Sequence, residues 1–466
     1  MLRTTLARAR ALFTVAWLAA SFVASAAPEP DTALHEYRLE NGLKVLVKVD
    51  RRSPVAVSML WYRVGSMDEI NGRSGVSHVL EHMMFKGTHV LGPGEFSKAI
   101  ARAGGRDNAF TSREYTAYHQ RLHRDQVALA MRLEADRMPN LALDAEEFGK
   151  EIRVVMEERR QRTDDNPQGL LFEQLLATAL LSNPARRPVI GWMSDLQSLT
   201  IADVRDWYRS WYAPNNATLV VAGDVDPEEV YSLAQQHFGP VAARPVPGRK
   251  PQQEPAQRGI RRISVKAPSE LPHLAMAYRV PVLKDLDNDW EPYALSVLSA
   301  VLDGHDAARL PRALVHERRI AHSIGSSYEG VRSGPGLFIV SGAPAAGRSV
   351  AELEAAWRAE LGRLINAGVT EQELKRVKAQ VIASQVYQRD SVFAQASQIG
   401  RYDALGLPLD TAERVLNKIQ AVTAEQLRDV ARRYFVDDGL TVAAIEPQPV
   451  DRSRPLAAPP ADEDVH

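Results

Sequence analysis

The chain carries the same segment twice. Leu199 to Leu219 recurs without a gap as Val422 to Val442: Thr200 pairs with Thr423, Arg205-Asp206 with Arg428-Asp429, Trp211-Tyr212 with Tyr434-Phe435, and Thr218 with Thr441. Each copy reads as a helix, an aromatic pair, a turn and a strand. A unit recurring this far apart implies two homologous domains, each ending in the same helix–strand element. The length agrees, because 466 residues exceed what one hydrophobic core usually serves. The expected domains are residues 33–240 and 260–447. Between them, residues 241–259 are rich in Pro, Arg and Gln and read as a linker. Residues 448–466, rich in Pro, Ala and Asp, read as a disordered tail.

Within the first domain strands come first, then helices, then strands again. Residues 36–49 predict a hairpin turning at Asn41-Gly42, and residues 55–64 a third β-rich run. A short helix around His78 follows, then a helix near 93–104, a strand near 115–122, and long helices near 125–137 and 144–162. Helices segregated against an antiparallel-rich sheet predict an α+β class for both domains.

Composition narrows the function. Apolar residues at 45% and charged residues at 25% are those of an ordinary globular protein. A net charge of -1 argues against nucleic-acid partners and polybasic membrane binding. The absence of cysteine excludes disulfides, thiolate catalysis and Cys-type zinc sites, so any metal must be held by His and carboxylate. At the N-terminus, Arg3, Arg8 and Arg10 precede the apolar run Ala11 to Val23 and the small residues Ala24-Ser25-Ala26. This predicts a signal peptide over residues 1–26. The run is shorter than the ~20 residues a membrane span needs, so no stable membrane anchor is expected. The mature chain is expected to be secreted, and periplasmic if the source is Gram-negative.

The chemistry concentrates at His78-Val-Leu-Glu81-His82. Histidines four apart on a helix stand one turn above each other and can reach one metal ion, and Glu81 lies on the same side. Such a group offers what peptide hydrolysis requires: a Lewis acid, an activated water and a proton acceptor. Val76, Val79, Leu80, Met83, Met84 and Phe85 make this helix apolar nearly all round. Two histidines and a glutamate in a buried helix are costly unless paired or metal-bound. The bland alternative is a pair of core histidines.

A catalytic zinc takes three protein ligands. The helix beginning at Asp144, with Glu147 in a capping-box-like start, carries an apolar stripe of Phe148, Ile152, Val155 and Met156. At ~100° per residue, Glu151 and Glu158 share one flank of that stripe, and Glu157 faces the opposite side. Glu158 is the better inward ligand and Glu151 its possible supporting partner. The wheel alone leaves a solvated charged helix equally open.

His78-xx-Glu81-His82 followed by Glu158 within Glu151-Ile-Arg-Val-Val-Met-Glu-Glu158-Arg159 resembles the inverted-zinc-motif peptidases. These are the pitrilysin-type metallopeptidases, which include insulin-degrading enzyme and the mitochondrial processing peptidases. Gly75 to Thr88, Asn108-Ala109-Phe110-Thr111, and Trp211-Tyr212-Ala-Pro-Asn with Gly223-Asp224 are similar to further family landmarks, so the likeness covers nearly the whole mature chain. It implies His78, His82 and Glu158 as ligands of one Zn²⁺ per chain, Glu81 as general base, and Glu151 as a supporting acid. It also implies two domains of like fold forming half of a clamshell. Manganese or cobalt could replace zinc in a His₂Glu site.

The resemblance implies a zinc endopeptidase acting on oligopeptides or unfolded segments. Asn108, Ala109, Phe110 and Thr111 are then the edge along which substrate lies as an added strand, a mode that reads backbone more than side chain. An ordinary turn after Gly104-Gly105 is the competing reading. One departure stands out. Where self-sufficient relatives place an Arg and a Tyr against the substrate, this chain has Val315 and His322. Valine donates no hydrogen bond, so that stabilisation of the developing oxyanion is missing. The expected assembly is a heterodimer in which a homologous subunit carries the Arg/Tyr pair. A homodimer in which His322 replaces Tyr is the alternative. The competing class is a non-catalytic binding or assembly subunit of the same fold. His119 and His123, also four apart, are expected to straddle a strand end and the next helix start, and His305, His316 and His322 lack a second His-plus-Glu arrangement.

Overall fold

The computed structural model describes residues 33–450. The expected signal segment, residues 1–26, and the part of the expected tail beyond Val450 lie outside the described residues. The strands are β1 (Leu34–Arg38), β2 (Lys44–Val49), β3 (Val55–Tyr62), β4 (Arg106–Thr111), β5 (Thr116–His123), β6 (Ala217–Gly223), β7 (Arg261–Pro268), β8 (Leu274–Val280), β9 (Ala321–Tyr328), β10 (Gly336–Pro344) and β11 (Leu440–Gln448). Helices of the first half are α1 (Val76–Met83), α2 (Glu95–Arg102), α3 (Val127–Asn140), α4 (Ala145–Arg159), α5 (Pro167–Ala179), α6 (Met193–Ser198), α7 (Ile201–Trp211) and α8 (Pro227–Phe238). Those of the second half are α9 (Glu291–Asp303), α10 (Val350–Ala367), α11 (Glu371–Gln388), α12 (Val392–Ala404), α13 (Thr411–Ala421) and α14 (Ala424–Tyr434).

Two mixed sheets result. The first runs β1-β2-β6-β3-β5-β4, and the second runs β7-β11-β8-β10-β9. Only β2/β6 and β7/β11 pair in parallel; the rest is antiparallel. Without β1, the first order maps onto the second strand for strand. The sequence repeat supplies equivalent pieces of each: α7 and α14 both open in a capping box, Thr200 with Asp203 and Thr423 with Gln426. The strands they feed, β6 and β11, occupy matching places. The first hairpin turns at Asn41-Gly42, where Gly42 takes φ 89 and the Asn41 amide donates to the carbonyls of Phe238 and Val241 at 2.7 and 2.9 Å. β11 continues through Gln448, the first residue of the expected tail.

The inner strands of each sheet are buried on both faces, which is why β6 reads Ala-Thr-Leu-Val-Val-Ala-Gly with almost no polar alternation. One face of the first sheet packs on Val76, Val79, Leu80 and Met83 of α1 together with residues of α3, α7 and α8. The opposite face is covered by α12, from the other half of the chain: Ala396 and Ala404 sit among Leu46, Val57, Met59, Trp61 and Val220. The converse holds for the second sheet, whose outer face receives Leu171, Leu175 and Ala179 of α5 against Val265, Ala277, Leu337, Ala443 and Ile445. The halves therefore exchange helices. Asp403 on α12 fastens one exchange by accepting from Lys44 Nζ, Arg63 Nη2 and Thr218 Oγ1 at 2.7, 2.8 and 2.6 Å.

The expected linker is pinned along its length. Arg249 donates to both Asp68 oxygens at 2.6 and 2.8 Å. Glu254 accepts from the backbone N–H groups of Leu181, Ser182 and Asn183 at 2.6, 3.0 and 2.8 Å. Among the described residues no helix is long and apolar enough to cross a membrane.

Candidate metal centre

α1 begins where Gly75 adopts φ 88, a conformation that costs a residue with a Cβ. Its first turn is held from outside: the buried Glu69 carboxylate accepts from Gly75 N at 2.8 Å and Ser77 N at 2.9 Å. Burial raises the Glu69 carboxyl to about 7 despite these two bonds. α4 begins at Asp144, whose side chain accepts from Glu146 N and Glu147 N at 2.8 and 3.0 Å. The reciprocal half of a capping box is not formed, because Asp144 N turns instead to the Ala142 carbonyl and Glu147 pairs with Lys150. Phe148 and Val155 are buried and Ile152 and Met156 partly so, which lays α4 against the core beside α1.

This packing brings His78 and His82 of α1 to Glu158 of α4. Their ligand atoms lie within 4.8 Å of one another, the one such group of His and acidic residues among the described residues. His82 Nε2 stands 3.4 Å from Glu158 Oε2, and His78 Nε2 stands 3.7 Å from Glu158 Oε1. Zinc–ligand distances of ~2.0–2.2 Å in a tetrahedron require donors roughly 3.4 Å apart, so the residues fit such an ion. Glu151, one flank position earlier, does not join this group. Its Oε2 meets His82 Nδ1 at 3.2 Å, and its Oε1 meets Lys86 Nζ at 2.5 Å. Glu157 is exposed, as the helical wheel requires.

The electrostatics suit a cation. Burial, then the neighbouring His82, lowers His78 to about 3, leaving a neutral imidazole. Burial opposes a charge on His82, but Glu151 and Glu158 outweigh it and raise His82 to about 9. Burial likewise opposes ionisation of Glu158, and the two histidines with Arg162 override it, holding Glu158 at about 2. Two carboxylates thus enclose one protonated imidazole, a proton that a bound metal ion would replace.

Glu81 sits beside this group and binds none of it. Burial raises its carboxyl to about 7, and the Thr111 hydroxyl, which donates to Glu81 Oε2, works against that rise. Thr111 closes β4, and β4 is the outermost strand of the first sheet, beyond β5. Asn108, Ala109, Phe110 and Thr111 are therefore on an open edge that runs up to Glu81, not in a turn after Gly105. Val315 packs partly buried against the second core, whereas His322 is exposed on β9, the edge of the second sheet. His119 and His123 both lie within β5, one buried and one exposed, rather than across a strand end.

Four contacts at or beside the centre were not foreseen from the sequence. Thr111 was legible only as part of an edge, and its bond to Glu81 needs the β4–α1 approach. Lys86 and Glu69 lie beyond the ends of α1, where no periodicity points to them. Arg162, which reaches Glu158 Oε1 at 2.7 Å, did carry a signal, since it stands four residues on.

The description "Insulinase (Peptidase family M16)" matches residues 44–192, and "Peptidase M16 inactive domain" matches residues 198–381. The chain is 33% identical over 431 residues to the zinc protease PqqE of Helicobacter pylori, covering 88% of this chain and 92% of that protein. It is 26% identical to the uncharacterised zinc protease YmxG of Bacillus subtilis, with 89% and 98% covered. It is also 26% identical to the beta subunit of the mitochondrial-processing peptidase of Lentinula edodes, with 87% and 88% covered. Among solved structures, a protease from Helicobacter pylori superposes with a TM-score of 0.84 at 29% identity, covering 89% of this chain and 100% of that one.

Proposed function

The chain belongs to the M16 peptidase family, and from that premise we propose that it is a zinc-dependent endopeptidase acting on oligopeptides or unfolded segments. The observation that carries this reading is the meeting of His78, His82 and Glu158 beside a half-buried Glu81 that Thr111 holds at the open edge of a sheet. His78, His82 and Glu158 would hold the metal. When bound, the metal supplies a Lewis acid and makes water acidic enough to attack near neutral pH.

The chain's own residues do the rest. Glu81, poised near neutrality, takes a proton from the attacking water and returns it to the leaving amine nitrogen. Thr111 fixes the carboxylate that does this. Glu151, clamped by Lys86, orients the His82 ring through Nδ1. The free edge of β4 offers backbone N–H and C=O groups to an extended peptide, so substrate enters as an added strand at Asn108 to Thr111.

The same reading makes this the metal-bearing subunit of a heterodimer. Val315, held against the second core, has nothing to donate to an oxyanion, and a homologous partner would supply the Arg/Tyr pair. The signal-like residues 1–26 support action outside the cytoplasm. Incubating a mixed oligopeptide set with the purified mature chain, with Glu81→Gln as control, tests these points. Cleavage lost in the control establishes a self-sufficient peptidase and removes the partner. No cleavage in a sample holding one zinc per chain, restored by an Arg/Tyr-bearing homologue, establishes the heterodimer. No cleavage in either setting favours the binding or assembly subunit.

A further inference from the structure

The β4–β5 turn, residues 112–115, and the β9–β10 turn, residues 329–335, are counterparts in the two sheets. The fold brings them together: Ser333 N donates to Glu114 Oε1 at 3.3 Å. Each turn contributes an arginine. Arg113 Nε donates to the Ala185 carbonyl at 3.4 Å. A Cβ built on Gly334 would lie 3.3 Å from Arg332 Nη2 and 3.6 Å from Ala185 Cβ, which puts Arg332 and Ala185, the residue Arg113 bonds, on the same glycine.

Glu114 and Glu329 stand near this pair, but among the described residues neither guanidinium donates a hydrogen bond to a carboxylate. Glu329 Oε1 is taken by Arg401, and Glu114 by the Ser333 amide. Arg332 approaches Glu329 only to 4.0 Å, too far for a hydrogen bond. Arg332 Nε is buried without a hydrogen-bond partner, and the Arg332 side chain is only 15% exposed. Burial, then the nearby Arg332, lowers Arg113 below the ordinary arginine range. Two like-charged guanidinium groups, both partly withdrawn from water and neither hydrogen-bonded to a carboxylate, favour an anion that can take their free N–H groups. Their planar forks match a carboxylate in particular.

Their position gives the anion a source. Arg113 lies two residues past Thr111, which contacts Glu81, so roughly 7 Å of backbone separates it from the base. A peptide added to β4 and leaving the centre past this turn meets the arginines within a few residues of the bond cleaved. Resting on the reading of β4 as the substrate edge, we propose that Arg113 and Arg332 form a carboxylate-binding subsite. It selects peptides that carry an acidic side chain or a free C-terminus close to the scissile bond.

The test is binding, read by fluorescence anisotropy on the full mature chain carrying Glu81→Gln. Labelled peptides come in matched pairs, Glu against Gln near the bond and free acid against amide at the C-terminus. The acidic member of a pair binds about tenfold more tightly. Whichever pair shows this identifies the source as side chain or terminus. Arg332→Gln and Arg113→Gln, each made separately, reduce that preference to about twofold or less while the neutral peptides bind as before. Equal binding within both pairs overturns the subsite and leaves the peptide reading standing. Variants that weaken neutral and acidic peptides alike also overturn it, since they reveal a structural role. If no peptide of either charge binds, with the Arg/Tyr-bearing homologue present or absent, the peptide reading falls and the subsite with it.

Discussion

Thr111 donates its hydroxyl hydrogen to Glu81, joining the last residue of an edge strand to the one carboxylate of the centre that holds no histidine. The last residue of β4 therefore also sets the aim and acidity of Glu81. On the proposed function, the seating of a peptide along β4 and the aim of the base would both follow from a single packing contact between β4 and α1.

Thr111→Val removes the donor while keeping the shape. Glu81 loses the one hydrogen bond that counters its burial, so it stays protonated to higher pH. The acidic limb of the pH–rate profile moves up in pH, and the maximal kcat falls about tenfold to a hundredfold, with metal content unchanged. A limb that stays in place would separate Thr111 from the base.

Glu151→Gln leaves the three ligands in place but breaks the charge link from Lys86 to His82 Nδ1. Zinc affinity falls about tenfold to a hundredfold, read by competition with a chelating dye. Retained affinity would reduce Glu151 to a packing residue.

Glu69 gives stability a pH dependence. Its carboxyl is raised from 4.5 to about 7 in the folded chain, so its contribution is full below pH 4.5 and is lost as pH rises through 7. At about 1.4 kcal/mol per unit the loss is at most about 3 kcal/mol. Urea unfolding at pH 5 and pH 8 should show the mature chain weaker at the higher pH. In Glu69→Gln that difference should shrink. An equal slope in both proteins would assign the pH dependence elsewhere.

Gly400 on α12 lies flat against the indole of Trp61, and a Cβ there would overlap the ring. Trp61 in turn packs edge-on to Phe110 and Tyr115, at 5.5 and 5.0 Å, and so cannot retreat freely. Gly400→Ala should cost about 1–3 kcal/mol of stability, measured by thermal unfolding. An unchanged midpoint would show that α12 can shift on the sheet.

Local regularities in the sequence pointed to much of this. The helix–strand repeat foretold two sheets of like order, the spacing of His78 and His82 foretold a shared face, and the Glu151/Glu158 flank foretold which carboxylates turn inward. Each of these signals sits within one element and follows its period. What the sequence concealed lies between elements. The wheel placed Glu151 and Glu158 together, yet only the packing of α4 on α1 sends one to the metal position and the other to His82 Nδ1 and Lys86. The linker showed no periodicity because it has none, but Arg249 and Glu254 anchor it through partners distant in sequence. Nor does any pattern in residues 167–179 or 392–404 reveal that each helix covers the other half's sheet.

That trade of α5 for α12 bears on how the molecule can move. Pulling the halves apart would bare the outer face of both sheets and strand Asp403 away from Lys44, Arg63 and Thr218. A nick anywhere in residues 241–259 would leave two polypeptides still clasped. The two sheets therefore move as one body, and any hinge that opens the molecule lies outside this pair.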